Sequence, residues 1–275
     1  MLRRLRLLLP KRLAVSYPKL LKFMRLLFDS QTGSCQPIRR PRTFAFLLLL
    51  PLLLSTSQLF AEAPYLAPGH PDGVALLAPP PAAGSGEEAA DLIAVHSAFQ
   101  SRTPTEKDRA MKDAGLSFSL FEPAIGPLFQ PGKLPKTEAL LKKVKAEIGE
   151  IIDIPKDHWK RKRPYELDQH LSLGDPEPSC GYPSGHSTRG TVYALLLAEL
   201  FAEKSDAILA IGRDIGWDRV LIGKHFLSDI QAGRVLGQAI VRELLSSPAF
   251  QHDLAEAKAE IQAAQHARSS LETAK

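Results

Sequence analysis

The sequence predicts an all-α protein, a single helical-bundle domain behind a cleaved N-terminal leader. Three observations carry that prediction. From Glu87 onward apolar residues recur at spacings near 3.6, and alternating β-branched runs are few. Helix-edge signals such as Thr103-Pro104-Thr105-Glu106 punctuate those stretches. At 275 residues, with 44% hydrophobic and 24% charged side chains, the chain is long enough to bury a core without staples.

Taken in order, residues 1–61 read as an N-terminal extension and signal peptide. Arg39, Arg40 and Arg42 precede Phe44 to Leu54, an apolar stretch of 11 residues interrupted by Pro51, and the segment closes on Leu59-Phe60-Ala61-Glu62-Ala63. A basic flank, a short apolar core and a small-residue exit describe a secretory leader, with cleavage after Ala61 or Ala63. The apolar run falls short of the about 20 residues that span a bilayer, so stable membrane insertion is not expected after cleavage. A periplasmic or secreted location is.

Removing the leader reverses the charge. The whole chain is formally +5, but 11 of its 35 Lys/Arg and one of its 30 Asp/Glu lie in residues 1–61. The remainder carries 24 basic and 29 acidic residues, net −5, which does not support a nucleic-acid surface. Cys35 leaves with the leader and Cys180 stays unpaired, so a disulfide scaffold and a four-cysteine zinc site are excluded. A lone thiol is expected as a small packed residue.

Residues 62–86 form a Pro-rich extended segment with Pro64, Pro68, Pro71, the run Pro79-Pro80-Pro81 and Gly84-Ser85-Gly86. The all-α domain, residues 87–275, follows, with helical spacing over 88–99, 105–116, 136–152, 186–202, 205–217, 227–246 and 249–267. Pro135 and Ser246-Ser247-Pro248 mark two further helix starts. The last helix, alternating charge and alanine, is assigned to packing or solvent cover.

Three segments hold residues suited to chemistry. In Lys156 to Pro164 the two cations Lys156 and Arg163 stand seven apart, which on one helix places them on a shared face about 10 Å apart. Pro164 ends that helix at Arg163. Long cations on one face converge on an anion, and a guanidinium fork suits phosphate oxygens; a solvated basic face is the plainer alternative. His158 and His170 nearby are left as surface residues.

The second segment, Cys180 to His186, directly precedes the apolar helix Thr188–Phe201. Its Pro and Gly shape a tight turn at a helix N-terminus, where backbone N–H groups bind anions. Ser184 adds a hydroxyl and His186 a titratable donor, while the spacing is not that of a serine-hydrolase elbow. In the third, Arg219 to Asp229, Gly223 allows a break between Arg219 and His225, and His225 and Asp229 at i, i+4 share a helix face. A carboxylate on one imidazole nitrogen frees the other as a base or nucleophile, although such a pair is more often structural. Within 74 residues the three segments supply cations, a helix start and two histidines, the parts needed to bind a phosphoryl group, attack it in line and protonate the leaving oxygen.

This set resembles the signature of the phosphatidic acid phosphatase type 2 superfamily, which also holds the vanadium haloperoxidases: Lys-x6-Arg-Pro, Pro-Ser-Gly-His and Ser-Arg-x5-His-x3-Asp. With its leader, the Tyr65-Leu66 opening and the form Gly181-Tyr182-Pro183-Ser184-Gly185-His186, the chain most resembles the secreted class A bacterial nonspecific acid phosphatases. The resemblance implies hydrolysis of small-molecule phosphate monoesters on an all-α fold, with no metal and no other cofactor. It implies His225 as nucleophile, Asp229 as its orienting group and His186 as the acid for the leaving group. Lys156, Arg163 and Arg219, with Ser184 and the Gly185 amide, would bind phosphate. A covalent intermediate would also allow phosphotransfer to an alcohol. Asp218 stands where the family has Ser, and a carboxylate there repels phosphate unless it turns away or pairs with a cation. A vanadate-dependent peroxidase on the same anion site, a membrane lipid phosphatase and a non-catalytic phosphate-binding protein are the rival readings. Homo-oligomerisation is left open.

Overall fold

The computed structural model describes residues 63–171 and 173–273; the leader, its cleavage after Ala61 and Cys35 lie outside the described residues. Residues 63–85 are irregular apart from one turn, α1 (Gly73–Leu76), capped by the Asp72 carboxylate. Then come α2 (Gly86–Ser101), α3 (Pro104–Asp113), α4 (Glu122–Ile125), α5 (Pro135–Trp159), α6 (Pro164–Leu167), α7 (Gly185–Leu200), α8 (Ser205–Leu221), α9 (Leu227–Ser246) and α10 (Pro248–Thr273). The fold is all-α, and no strand occurs among the described residues.

The helix-edge signals act as their chemistry requires. The Ser85 hydroxyl accepts from the Glu88 amide at the start of α2. Thr103 and Glu106 form a reciprocal capping box at α3, with the Thr103 amide 2.8 Å from the Glu106 carboxylate. Helix α5 lacks a side-chain N-cap of its own, and Glu260 of α10 supplies it, accepting from the Lys136 and Thr137 amides at 2.9 Å each. Phe250, Leu254, Ala257 and Ile261, at helical spacing, are buried along the same side of α10. That helix therefore does pack, and it also closes the start of α5.

Helix α7 is the central element, packed on α8 and α9. Its Val192, Tyr193, Leu196 and Leu197 are almost wholly buried, each apolar side chain stabilising the fold by about 1.5–3 kcal/mol. The Pro-rich segment joins the same core: Tyr65 and Leu66 donate their amides to Glu147, and the Tyr65 ring meets Phe250 edge-on. A second apolar cluster, with Val95, Ala110, Leu171, Val220, Phe226 and Ile230, lies under the turn from α8 to α9.

Two expectations are corrected. Helix α5 ends at Trp159, where Lys160 takes a left-handed conformation with φ 48°. Arg163 is extended (φ −89°, ψ 160°) and Pro164 opens α6 rather than closing α5. Lys156 and Arg163 therefore do not share a helix face. Helix α7 begins at Gly185, not Thr188, because Ser184 is its N-cap.

Candidate active site

After the left-handed Lys160 the chain runs without helix to Arg163, and alternate side chains turn inward: Arg161 and Arg163 are buried, Lys162 exposed. Arg163 is held on three sides. Its Nε donates to the Ser179 carbonyl at 2.9 Å, its Nη2 to Cys180 at 3.2 Å, and its Nη1 to Lys224 at 2.9 Å. The same Nη1 stands 3.0 Å from Nε2 of His225. Lys156, in the last turn of α5, donates its Nζ to the Cys180 carbonyl at 2.6 Å, so one carbonyl brings both cations together. Burial, then the charge of Arg163, pushes Lys156 down to about 8.

Helix α8 delivers Arg219, which is 1% exposed. Its Nη2 is paired with Glu177, while Nε and Nη1 are buried with no hydrogen-bond partner among the described residues. Buried guanidinium N–H groups without acceptors are costly, and anionic oxygens are the acceptors that suit them best. The chain then reverses at Gly223, whose φ of +69° and contact with Leu171 exclude any side chain. A Cβ there would lie 2.1 Å from the Leu171 carbonyl oxygen. The reversal lets the Lys224 and His225 amides both donate to the Arg219 carbonyl, at 2.8 and 3.2 Å.

His225 and Asp229 meet with Nδ1 3.2 Å from Oδ2, though not from one helix face. His225 precedes α9, Phe226 is its N-cap and Asp229 occupies the third position, where it also accepts the Phe226 amide at 2.9 Å. Arg161 donates to the other Asp229 oxygen at 2.6 Å, to Asp91 at 3.0 Å, and lies 4.1 Å above the Phe226 ring. Burial raises Asp229 against the pull of Arg161. His225 is held well below its ordinary range by burial and by Arg163 and Lys156, so its imidazole is neutral. Asp229 fixes the proton on Nδ1 and leaves the lone pair on Nε2.

The start of α7 is tied to this group through the Ser184 amide, which donates to the Asp229 carbonyl at 3.0 Å. Gly233 permits the approach: a Cβ there would lie 2.7 Å from the Ser184 carbonyl oxygen. The Ser184 hydroxyl accepts from the Ser187 amide at 3.3 Å, and Gly185 lies beside Lys156. His186 is half-buried, its Nε2 3.2 Å from the Ala114 carbonyl, and burial followed by the Arg219 charge pushes it down to about 4.

Asp218 turns away from the cations and is fully buried against α3. Arg109 grips it with Nε at 3.0 Å and Nη2 at 2.6 Å. Asp113 hydrogen-bonds to it as well, and burial, then that bond, pushes the Asp113 carboxyl up to about 7. Cys180 is half-buried and gives the site its carbonyl oxygen; His158 and His170 are exposed.

Sequence reasoning missed Arg161, Asp91, Glu177, Arg109 and Asp113. Arg161 alone leaves a signal, the Arg-Lys-Arg alternation of residues 161–163 ahead of Pro164. Asp91, Arg109 and Asp113 come from distant parts of the chain, and Glu177 from an irregular stretch just before Cys180.

A helix start, buried cations and an imidazole held by a carboxylate, on an all-α scaffold, are the parts that a phosphoryl-transfer site requires. Residues 146–252 match the PAP2 superfamily. The chain is 32% identical over 204 residues to the acid phosphatase of Zymomonas mobilis subsp. mobilis (strain ATCC 31821 / ZM4 / CP4), covering 71% of this chain and 77% of that one. It is 31% identical over 199 residues to the non-specific acid phosphatase of Providencia stuartii (69% and 80%) and 29% identical over 195 to that of Salmonella typhimurium (67% and 78%). The chain belongs to the PAP2 superfamily and, within it, to the bacterial non-specific acid phosphatases.

Proposed function

We propose that the chain is an exported, metal-independent phosphatase that hydrolyses small phosphate monoesters through a phosphohistidine at His225. The observation that carries this reading is the pair of contacts on one imidazole. Nδ1 is held by Asp229 at 3.2 Å, and Nε2 lies 3.0 Å from a guanidinium nitrogen of Arg163. A neutral imidazole so held presents a lone pair where Arg163 gathers phosphoryl oxygens.

In the first step the Nε2 lone pair attacks phosphorus and the P–O bond to the leaving group breaks in line. Protonated His186 gives its proton to the departing oxygen. Its Nε2 is committed to the Ala114 carbonyl, so Nδ1 is the nitrogen that gains and loses that proton. Lys156, Arg163 and Arg219, with the Ser184 hydroxyl and the Gly185 amide, meet the charge on the phosphoryl oxygens. Asp229 and the buried Arg161 behind it steady the imidazolium that forms. Water then attacks the phosphohistidine, His186 takes its proton, and inorganic phosphate leaves. An alcohol in place of water receives the phosphoryl group, which makes phosphotransfer the side reaction.

The test is hydrolysis of para-nitrophenyl phosphate from pH 4 to 7 with excess chelator. Chelator-resistant turnover that vanishes in His225→Ala is expected. Turnover that persists in the variant overturns the assignment of the nucleophile, and loss with chelator overturns metal independence.

A further inference from the structure

Arg189 lies on α7 one turn beyond Gly185. Long helical side chains run back toward the helix N-terminus, which brings its guanidinium over Gly185. A Cβ on that glycine would lie 3.1 Å from Arg189 Nη1 and 3.7 Å from Lys156 Cε. The two cationic side chains thus meet above the start of α7, beside His186, and the missing side chain of Gly185 is what admits the guanidinium. Arg189 is half-buried and makes no hydrogen bond or ion pair among the described residues. Each neighbouring cation has at least one partner, Lys156 and Arg163 in carbonyls, Arg219 in Glu177, and Arg161 in Asp91 and Asp229, whereas Arg189 has none among the described residues. Its charge is felt at both Lys156 and His186, lowering the proton affinity of each.

Lys156, Arg163 and Arg219 already meet the charge of a phosphomonoester dianion. A further unpaired cation next to the leaving-group acid has no role in binding that dianion. We propose that Arg189 forms a subsite for a second anionic group on the leaving side of the substrate. The preferred substrates are phosphate esters whose leaving group carries a carboxylate or another phosphate. This rests on the phosphatase reading above and adds the substrate class to it.

The experiment compares kcat/KM for substrate pairs that differ in the leaving-group anion. Glycerol 3-phosphate is set against 3-phosphoglycerate for a carboxylate, and fructose 6-phosphate against fructose 1,6-bisphosphate for a phosphate. Para-nitrophenyl phosphate serves as the neutral reference. A charge-assisted contact at a half-exposed arginine leads us to expect a preference of about tenfold for the anionic member in at least one pair. Arg189→Gln abolishes that preference, mainly through KM, leaves para-nitrophenyl phosphate turnover within about twofold, and Arg189→Lys restores most of it. No preference in the wild type, or an equal loss on every substrate in Arg189→Gln, overturns the subsite while leaving the phosphatase intact. Failure of the wild type to hydrolyse any of the five esters overturns the phosphatase reading and the subsite with it.

Discussion

Replacing Arg109 by Met isolates the residue that lets this chain carry Asp218 where its family has serine. Asp218 is 0% exposed, and its charge is met by Nε and Nη2 of Arg109, at 3.0 and 2.6 Å. Removing one partner of a buried ion pair costs about 3–5 kcal/mol, because a charge stays buried without compensation. The Arg109 side chain is 39% exposed and Asp113 also hydrogen-bonds to Asp218, so the lower end, about 3 kcal/mol, applies. Asp218→Ser is milder, about 1 kcal/mol, since Arg109 returns to solvent and keeps Asp214 at 3.5 Å. In the double variant no buried charge remains, and a coupling of about 2 kcal/mol is expected in the cycle. Urea unfolding at pH 7 measures it, with a melting point about 6–12 °C lower for Arg109→Met alone. Turnover should fall in the same variant, because the end of α8 also carries Arg219. Additive single effects would refute the claim that Arg109 exists to neutralise Asp218.

Further predictions follow from the same geometry. Arg161→Met leaves Asp91 and Asp229 buried without their shared cation, so a loss of about 3–5 kcal/mol and near-complete loss of activity are expected by thermal unfolding and para-nitrophenyl phosphate turnover; near-wild-type activity would contradict the account of Asp229. The native Asp113 carboxyl, pushed up to about 7, holds a proton that the unfolded chain releases near pH 4. Its contribution is therefore full below about pH 4 and lost as the pH rises through about 7. Asp113→Asn flattens that part of the melting-point profile, and parallel profiles would contradict it. His186, pushed down to about 4, is mostly neutral at pH 5, and a tetrahedral dianion beside it restores proton affinity. Sulfate binding at pH 5 should take up protons, read by calorimetry in buffers of different ionisation enthalpy, and His186→Gln should abolish the uptake.

Local pattern reaches much of this molecule. The seven apolar-periodic stretches correspond to α2, α3, α5, α7, α8, α9 and α10, since amphipathic spacing and caps are written in neighbouring residues. The three chemical segments could be singled out because each is short. Their joining geometry was less legible. Lys160 adopts a left-handed conformation that its residue type does not announce, so Lys156 and Arg163 meet through the Cys180 carbonyl instead of along a helix. Arg109 and Asp218 are 109 residues apart and Arg161 and Asp91 are 70 apart, and neither ion pair leaves a mark in local periodicity. Glu177 sits in an irregular stretch whose only role in pattern terms is to connect.

The most direct test of the central claim is to trap the phosphorylated enzyme. The protein is mixed with para-nitrophenyl phosphate at pH 5, quenched in alkali within milliseconds, digested and read by mass spectrometry. The account predicts phosphate on His225, stable to alkali, released by acid and absent from His225→Ala. Phosphate on Ser184, or steady turnover with no covalent species at any quench time, would contradict it.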